Sequence, residues 1–323
     1  MEYVRLGHSG LKVSRIALGC MSYGDPARGL HSWTLDEEAS QPFFRQAVEL
    51  GITFWDTANV YQAGSSEEFV GRAIKAYTRR EEIVVATKVS GKMHDGPGGS
   101  GLSRAAIMEQ VDASLRRLDT DYIDLYLIHR FDPDTPVAET MEALHDVVRS
   151  GKARYLGASS MTAWQFAKAQ SVAPTPFVSM QNHYNLIYRE EEREMIPQCL
   201  DQGVGLIPWS PLARGLLAGN RTREGEQLTE RARTDSYGES LYTPEVDFGV
   251  IDRAGEVAAE RGVATAQVAL AWLLHKPGVT APIVGTTRLE HLEHALGAAE
   301  LELSADEIER LEEPYVPHAV SEH

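Results

Sequence analysis

The sequence predicts a closed (β/α)8 barrel. Short apolar runs rich in β-branched residues alternate with amphipathic helical segments along the whole chain, and eight such runs occur. No Pro- or Ser-rich linker interrupts the alternation, so residues 1–323 are expected to form one domain. A doubly wound sheet rarely continues so evenly over a chain of this length.

The strands can be placed in order. The opening segment YVRLGHSGLKVSRIALG predicts a small hairpin that leads into the first barrel strand. The other strands are TFWDTA, IVVATKV, DYIDLYLIH, ARYLGAS, FVSMQN, GLIPWS and APIVG.

Helical segments fill the spaces between these strands, and the chain is expected to end in a helical tail. The clearest are DEEASQPFFRQAVEL, SRAAIMEQVDASLRRL, PVAETMEALHDVVRSG and REEEREMIPQCLDQG. Asp36 and Ser103 stand where N-caps are expected, and Gly151 and Gly203 follow the ends of two helices. The helix after the fifth strand is expected to bury Met161, Trp164 and Phe166.

The net charge of the chain limits the kinds of partner that it is expected to bind. With 47 acidic and 31 basic residues, the net charge of -16 disfavours nucleic acid and anionic membrane surfaces. A small neutral or cationic substrate fits better, unless a basic pocket exists locally. The chain has only two cysteines, no apolar run of about 18 residues and no signal-peptide pattern, so a cytoplasmic location is expected.

Four ionisable residues stand at or just after predicted strand ends: Asp56, Tyr61, Lys88 and His129. In a barrel, the carboxyl ends of all strands share one face, so these side chains are expected to converge at one mouth. Each alone could be incidental: a helix cap, a loop tyrosine, a surface lysine or a core histidine. Together on one rim they favour a functional site.

The chemistry of these groups is that of proton transfer to a carbonyl oxygen. A phenol with a pKa near 10 releases its proton more easily beside an ammonium. At about 4 Å and an effective dielectric constant of about 20, the attraction is roughly 4 kcal/mol, enough to lower the pKa by two units. Asp56 would hold Lys88, His129 would orient the carbonyl, and a cofactor hydride would supply the nucleophile.

At these residues the chain resembles the aldo-keto reductase family. The matching segments are FWDTANVYQAGSSEEFVGRAI, IVVATKV, DYIDLYLIHR, GKARYLGASSM, MQNHYNLIYR and IPWSPLARGLL. In that family the residues that match Asp56, Tyr61, Lys88 and His129 form the catalytic tetrad, with the tyrosine as acid. The resemblance points to the bacterial branch that is similar to potassium-channel β-subunits.

The resemblance also implies a nicotinamide dinucleotide that lies across the strand ends without a Rossmann unit, NADP(H) with NAD(H) as the alternative. The implied contacts are Ser159, Ser160, Gln181 and Trp209 near the nicotinamide, Ser210, Pro211, Leu212 and Arg214 near the pyrophosphate, and Gly285, Thr286, Thr287, Arg288 and His291 near the adenosine phosphate. With Arg288 and a histidine at position 291, a modest NADPH preference that grows toward pH 6 is expected. The substrate pocket is expected to include Met21, Tyr23, Trp33 and Arg130.

Four further segments have more than one interpretation. GPGGSG, residues 96–101, fits G-x-G-x-x-G, but VSGKMHD separates it from the preceding strand, so a Gly-rich loop at the mouth is preferred to a Rossmann turn. Residues 213–245 are longer than a simple connection requires and predict a lid, with disorder as the alternative. His291 and His294 in HLEH are interpreted as a solvated helix face rather than a metal site, and the polar tail either frays or folds over the mouth.

The function predicted from these features is NADP(H)-dependent reduction of an aldehyde or ketone. The alternative is a regulatory protein that binds the dinucleotide and reports its redox state with little turnover.

Overall fold

The fold, given by a computed structural model, is described for residues 1–29 and 31–320. The last three residues of the expected tail lie outside this range. An antiparallel hairpin, β1 (Tyr3–Arg5) and β2 (Lys12–Ser14), comes first, with Tyr3 opposite Ser14. The predicted hairpin is therefore confirmed.

Eight parallel strands follow and form the predicted barrel. They are β3 Ala17–Gly19, β4 Phe54–Asp56, β5 Val84–Val89, β6 Ile123–Ile128, β7 Ala153–Ser159, β8 Phe177–Gln181, β9 Gly205–Leu206 and β10 Ile283–Val284. From β3 to β8 each strand pairs with the next in the chain, and β10 pairs with β3. The ring closes because the Leu206 amide donates to the Gly278 carbonyl at 3.0 Å and the Ile283 amide donates to the Pro208 carbonyl at 2.9 Å.

The helices surround this barrel and extend it at the C-terminal side. They are α1 Glu37–Glu49, α2 Ser65–Tyr77, α3 Arg104–Leu118, α4 Val137–Arg149, α5 Ala163–Val172, α6 Met195–Gln202, α7 Glu230–Thr234, α8 Ser236–Leu241, α9 Pro244–Arg261, α10 Thr265–His275, α11 Glu290–Ala298 and α12 Ala305–Glu312. The regular alternation breaks between β9 and β10, where α7 to α10 replace a single helix.

The structure confirms the predicted helix caps. Asp36 accepts a hydrogen bond from the Ala39 amide, and Ser103 accepts one from the Ala106 amide. Gly203 ends α6 with φ +67°, and a Cβ there would lie 2.1 Å from the His8 ring of the N-terminal loop. Glycine is thus required at position 203 by both the turn and the close approach of that loop.

The pleat of β4 shows how the strands position the site. Phe54 lies inside the barrel, packed in one cluster with Leu6, Leu125 and Leu127, while Trp55 lies outside against the helices. Because side chains alternate along a strand, Asp56 returns to the inside at the strand's carboxyl end. The hairpin residue Leu6 fills the amino end of the barrel, so the opposite end is the mouth that remains.

One packing prediction is wrong. Met161 and Phe166 are buried as expected, but Trp164 is 60% exposed. It stands one residue inside the start of α5, where its ring lies edge-on to the partly buried Phe131, with the centroids 6.1 Å apart. The apolar pattern of this short helix did not distinguish its inner face from its outer face.

Candidate active site

The loops that follow the barrel strands hold most of the unusual backbone conformations of the described chain. Positive φ angles at residues other than glycine occur at Gln62, Ala63, Ser90, Asp119, Ser160, Ser210, Ala213 and Arg214. All except the helix cap Asp119 follow the carboxyl end of a barrel strand. Such conformations cost about 1–3 kcal/mol each and cluster where function constrains the chain. The mouth of the barrel is therefore the part of the fold built under strain.

The four predicted residues meet at this mouth. The Lys88 ammonium lies 2.7 Å from an Asp56 carboxylate oxygen and 3.2 Å from the Tyr61 hydroxyl, and it also donates to the Thr57 carbonyl at 2.7 Å. Asp56 and Lys88 are almost completely buried. The His129 ring lies edge-on to the Tyr61 ring, with the centroids 5.7 Å apart.

Lys88 stays a cation in this buried position. Burial alone would lower its pKa, but the Asp56 carboxylate and the Tyr61 hydroxyl outweigh that effect and raise the pKa above the ordinary value for lysine. An unpaired buried ammonium would lose its proton instead. The ion pair with Asp56 therefore maintains a positive charge beside the phenol.

Tyr61 differs from the expectation that Lys88 alone would make it more acidic. Its pKa is raised, because burial of the hydroxyl outweighs the attraction of Lys88, and Asp56 adds to the rise. The carboxylate lies so close to the ammonium that the phenol experiences a nearly neutral pair rather than a free cation. Tyr61 therefore keeps its proton at neutral pH, in the state from which it can donate.

His129 is a neutral imidazole in this arrangement. Burial lowers its pKa well below the ordinary histidine value, and the positive charges of Lys88 and Arg130 lower it further. A neutral ring carries one N–H, which can donate to a carbonyl oxygen without delivering a proton. The two candidate proton donors are thus distinguished by their charge states.

Gln181 makes a contact that the sequence did not suggest. Its side-chain amide nitrogen donates to the second carboxylate oxygen of Asp56 at 2.9 Å. A chain of hydrogen bonds therefore runs from Gln181 through Asp56 and Lys88 to the Tyr61 hydroxyl. Gln181 also lines the mouth cavity, and its amide oxygen accepts a hydrogen bond from no described residue, so it is available to a bound group.

The mouth is a cavity of about 760 Å³. Tyr61, His129 and Asp56 lie on its wall, whereas Lys88 stands behind them. The cavity wall includes these residues predicted to contact the cofactor: Ser159, Gln181, Trp209, Ser210, Pro211, Leu212, Arg214, Gly285, Thr286, Thr287, Arg288 and His291. Ser160 does not line the wall, because its hydroxyl accepts hydrogen bonds from Trp209 Nε1 and Arg130, each at 3.1 Å.

This wall fits an extended nicotinamide dinucleotide. Trp209 offers an aromatic surface, and its ring stacks on His183 at 4.3 Å, which in turn stacks on Tyr188 at 4.1 Å. The Gln181 amide oxygen can accept from a carboxamide, and Arg288 supplies positive charge at the far end. Gly285 leaves room for close approach, since a Cβ there would contact the Ser22 hydroxyl at 3.3 Å.

His291 does not fit the expected pH dependence. Its pKa is lowered, first by burial and then by the nearby charge of Arg288, so it stays neutral to a lower pH than an ordinary histidine. Its Nδ1 lies 3.1 Å from the Thr286 hydroxyl, which also bonds to the backbone of Arg288. The side chain therefore orders the Thr286–Arg288 turn, and any increase in NADPH preference toward pH 6 should be smaller than an ordinary histidine would give.

The substrate residues are only partly as predicted. Met21, Trp33 and Arg130 line the cavity, but Tyr23 is fully buried outside it, packed on Phe43 and Phe44. The loop that carries Trp33 is fastened by a residue that sequence reasoning missed. The Gln62 amide donates to the carbonyls of Asp25 and His31 and accepts from the His31 amide. Its position directly after Tyr61 was the available signal.

Residues 213–245 form an ordered cover with short helices rather than a disordered loop. Arg214 and Arg231 both pair with Asp235, at 2.6 and 3.3 Å. Arg231 also lies over the Trp33 ring at 4.3 Å, which connects this segment to the opposite rim. Burial, followed by repulsion from Arg214, lowers the pKa of Arg231 to about 10, so it remains a cation at neutral pH.

Other candidates lie away from the cavity. Residues 96–101 form a loop fastened by Asp132, which accepts from the Leu102 amide at 2.8 Å, and none of them lines the cavity wall. The described part of the tail, up to residue 320, packs beside α9 through His318, 2.8 Å from Asp247, and does not line the cavity. Among residues 1–29 and 31–320, no three His, Cys, Asp or Glu residues are arranged to hold a metal ion. No helix in the same ranges has the length and apolarity that a membrane span requires.

Comparison with known proteins settles the family. The model of the aldo/keto reductase family matches residues 15–315. The chain belongs to this family. Its relatives include the versiconal hemiacetal acetate reductase of Aspergillus parasiticus, 47% identical over 99% of this chain and 98% of that protein. A putative aryl-alcohol dehydrogenase of Schizosaccharomyces pombe is 46% identical over 98% of this chain and 96% of that protein.

Solved structures agree on the fold. A thermostable aldo-keto reductase crystallised with the inhibitor epalrestat superposes with a TM-score of 0.78, at 31% identity, over 97% of this chain and 100% of that one. The chain is thus an oxidoreductase of a family that generally uses nicotinamide cofactors. The two named relatives are fungal, so the expected assignment to a bacterial, potassium-channel-β-like branch has no support.

The cover makes a prediction about proteolysis. Bound NADPH should slow tryptic cleavage at Arg223 and Arg233, which are exposed, because closing the cover over a ligand reduces its local opening. Asp235→Asn removes the shared partner of Arg214 and Arg231 and should speed cleavage at the same sites without cofactor. Cleavage can be followed by mass spectrometry, with the exposed Arg79 outside the segment as internal control. Equal rates with and without NADPH at all of these sites would contradict a cover that closes on cofactor.

Proposed function

We propose that this protein reduces an aldehyde or ketone to an alcohol with NADP(H), and that residues 1–323 act as one catalytic barrel. The single observation that carries the proposal is the contact of a charged, buried Lys88 with a protonated Tyr61 on the cavity wall. Few functions other than proton donation require a phenol held in that state beside an ammonium.

The roles of the four residues follow from their geometry. Tyr61 donates its proton to the carbonyl oxygen as negative charge develops there, and Lys88 at 3.2 Å stabilises the phenolate that remains. Asp56 keeps Lys88 charged and in place. His129, neutral and edge-on to Tyr61, donates a hydrogen bond that orients the carbonyl.

The cofactor supplies the hydride that the described side chains cannot. Gln181 would bind the carboxamide through its free amide oxygen while its nitrogen holds Asp56, so the position of the nicotinamide and that of the acid are set by one side chain. Trp209 would stack on the nicotinamide ring, and Arg288 would meet the adenosine phosphate.

The residues of the cavity wall favour one class of substrate. Trp33, Met21 and Tyr237 line the cavity, and they offer apolar and aromatic surface for an aromatic ring of the substrate. One relative carries the name aryl-alcohol dehydrogenase and another is named as the reductase of versiconal hemiacetal acetate. An aromatic carbonyl compound therefore fits both the walls and the name aryl-alcohol dehydrogenase of one relative.

A redox-reporting protein with little turnover remains the second candidate. It would need the cofactor to stay bound after purification, and the ordered cover over the cavity is the feature that favours it. The arrangement of Tyr61, Lys88 and His129 has no purpose in that function, so the enzyme is the preferred proposal.

Tyr61→Phe tests the proposed acid. It should lower the single-turnover rate of benzaldehyde reduction by about 10²- to 10⁴-fold, because only the proton donor is lost. The dissociation constant of NADPH, measured through tryptophan fluorescence, should stay within about twofold. Tyr155→Phe is the matched control, since Tyr155 lies on β7 outside the cavity wall. A Tyr61→Phe enzyme with the wild-type rate would refute the assignment.

The cofactor preference tests the far end of the cavity. NADPH should be preferred to NADH by kcat/KM, and the ratio should rise less between pH 8 and pH 6 than an ordinary histidine at position 291 would produce, because burial and then the charge of Arg288 lower the pKa of His291. Arg288→Ala should reduce the ratio roughly tenfold through loss of a charge-assisted hydrogen bond. A ratio that rises steeply toward pH 6, or an Arg288→Ala enzyme with unchanged preference, would contradict this assignment.

A further inference from the structure

The cavity is basic, although the chain as a whole is strongly acidic. Against a net charge of -16, its wall contains five arginines and two carboxylates. The arginines are Arg130, Arg214, Arg231, Arg233 and Arg288, and the carboxylates are Asp56 and Glu230. A local basic pocket is therefore present, and such a pocket favours an anionic ligand.

Four of these five arginines either have a carboxylate partner or lie on the exposed cover. Arg214 and Arg231 share Asp235, Arg288 lies 3.8 Å from Glu290 at the adenosine end, and Arg233 is exposed on the cover. Only Arg130 follows a residue of the proposed catalytic group, since it is the neighbour of His129. Its guanidinium also lies near the proposed nicotinamide surface, 6.0 Å from the Trp209 ring centroid.

Hydrogen bonds hold one edge of the Arg130 guanidinium, and its other edge has no partner among the described residues. Its Nη1 donates to the His129 carbonyl at 2.7 Å and to the Ser160 hydroxyl at 3.1 Å, which uses both hydrogens of that nitrogen. Nη2 and Nε donate to no described residue, and no described carboxylate lies within 4.0 Å of the side chain. Three donors thus remain available in a plane held rigid by the first edge.

An arginine edge of this kind matches a carboxylate. The Nε and Nη2 hydrogens are spaced for two parallel bonds to the two oxygens of a carboxylate, and such charge-assisted pairs are about twice as strong as neutral hydrogen bonds. A neutral ester lacks the negative charge and therefore binds these donors more weakly. Preorganisation by His129 and Ser160 reduces the side-chain entropy lost on binding.

We propose that Arg130 binds a carboxylate on the carbonyl substrate through its Nε–Nη2 edge, which makes carboxylate-bearing aromatic carbonyl compounds the preferred substrates. The inference rests on the proposed reductase function and specifies its substrate class. In this arrangement Tyr61 and His129 hold the carbonyl oxygen at one end of the substrate, and Arg130 holds the anionic end.

The experiment compares acids with their neutral esters. The rates of reduction of 2-, 3- and 4-formylbenzoate are measured beside those of the three methyl esters and of benzaldehyde. For at least one isomer, the wild type should favour the acid over its ester at least about tenfold in kcat/KM. Arg130→Met should lower that acid-to-ester ratio roughly tenfold or more, while Arg130→Lys should restore part of it, since the charge remains but the planar edge is lost.

A control variant and the comparison of acid with ester separate recognition from simple positioning. Arg233→Met removes another arginine of the cavity wall and should leave the acid-to-ester ratio nearly unchanged. If Arg130→Met instead slows the acid and the ester equally, Arg130 only positions His129 and Ser160, and the proposal is overturned. A wild type that reduces benzaldehyde and the esters as well as the acids would overturn it too, while the reductase function would stand.

A binding measurement covers the case in which no aldehyde is reduced. Formylbenzoate binding to the protein with NADP⁺, which cannot deliver a hydride, is measured by titration calorimetry for wild type and Arg130→Met. Retained binding of NADP⁺ and an unchanged unfolding transition show that the variant is folded. A dissociation constant for the acid that rises at least about tenfold in the variant, with the ester unchanged, supports the proposal. Equal constants for the acid overturn it.

Discussion

The ion pair between Lys88 and Asp56 is the constraint on which the rest of the site depends. Two charges buried at the end of parallel strands are tolerated only because each is fully engaged: Lys88 also donates to the Thr57 carbonyl, and Asp56 also accepts from Gln181. Removing one partner would leave an uncompensated buried charge, at a cost of about 3–5 kcal/mol. The barrel supplies the geometry, since the pleat directs Asp56 inward and pairing holds its strand beside that of Lys88.

This pair explains why the phenol and the imidazole differ in charge state. Tyr61 experiences an ammonium whose field is largely cancelled by Asp56, so burial dominates and the proton stays on the hydroxyl. His129 experiences burial together with the positive charges of Lys88 and Arg130, which all lower its pKa. Tyr61 therefore retains a proton that it can transfer, whereas the neutral His129 can only donate a hydrogen bond. Gln181 extends the same network to the cavity wall, where the cofactor is expected.

Much of this arrangement could be predicted from the sequence because it depends on strand ends. The residues Asp56, Lys88 and His129 end apolar runs, and barrel geometry alone brings such positions together. Predictions failed where tertiary packing decides the outcome: Tyr23 lies behind the wall, Trp164 faces solvent, and burial reverses the expected acidification of Tyr61. The free edge of Arg130 and the bond from Gln181 to Asp56 depend on which nitrogen faces which neighbour, and no sequence pattern records that.

We assign Tyr61, which stays protonated beside Lys88, as the acid. The pH dependence of the reaction rate tests this assignment most directly. The single-turnover rate of carbonyl reduction with saturating NADPH is measured from pH 6.5 to pH 9.5. A required acid loses activity as pH rises through its pKa, and the pKa of Tyr61 lies above its ordinary value of about 10. With Tyr61 as the acid, the rate should therefore stay flat across this range. A decline with a midpoint near neutral pH, abolished by His129→Gln but retained in Tyr61→Phe, would make His129 the acid and refute the role of Tyr61.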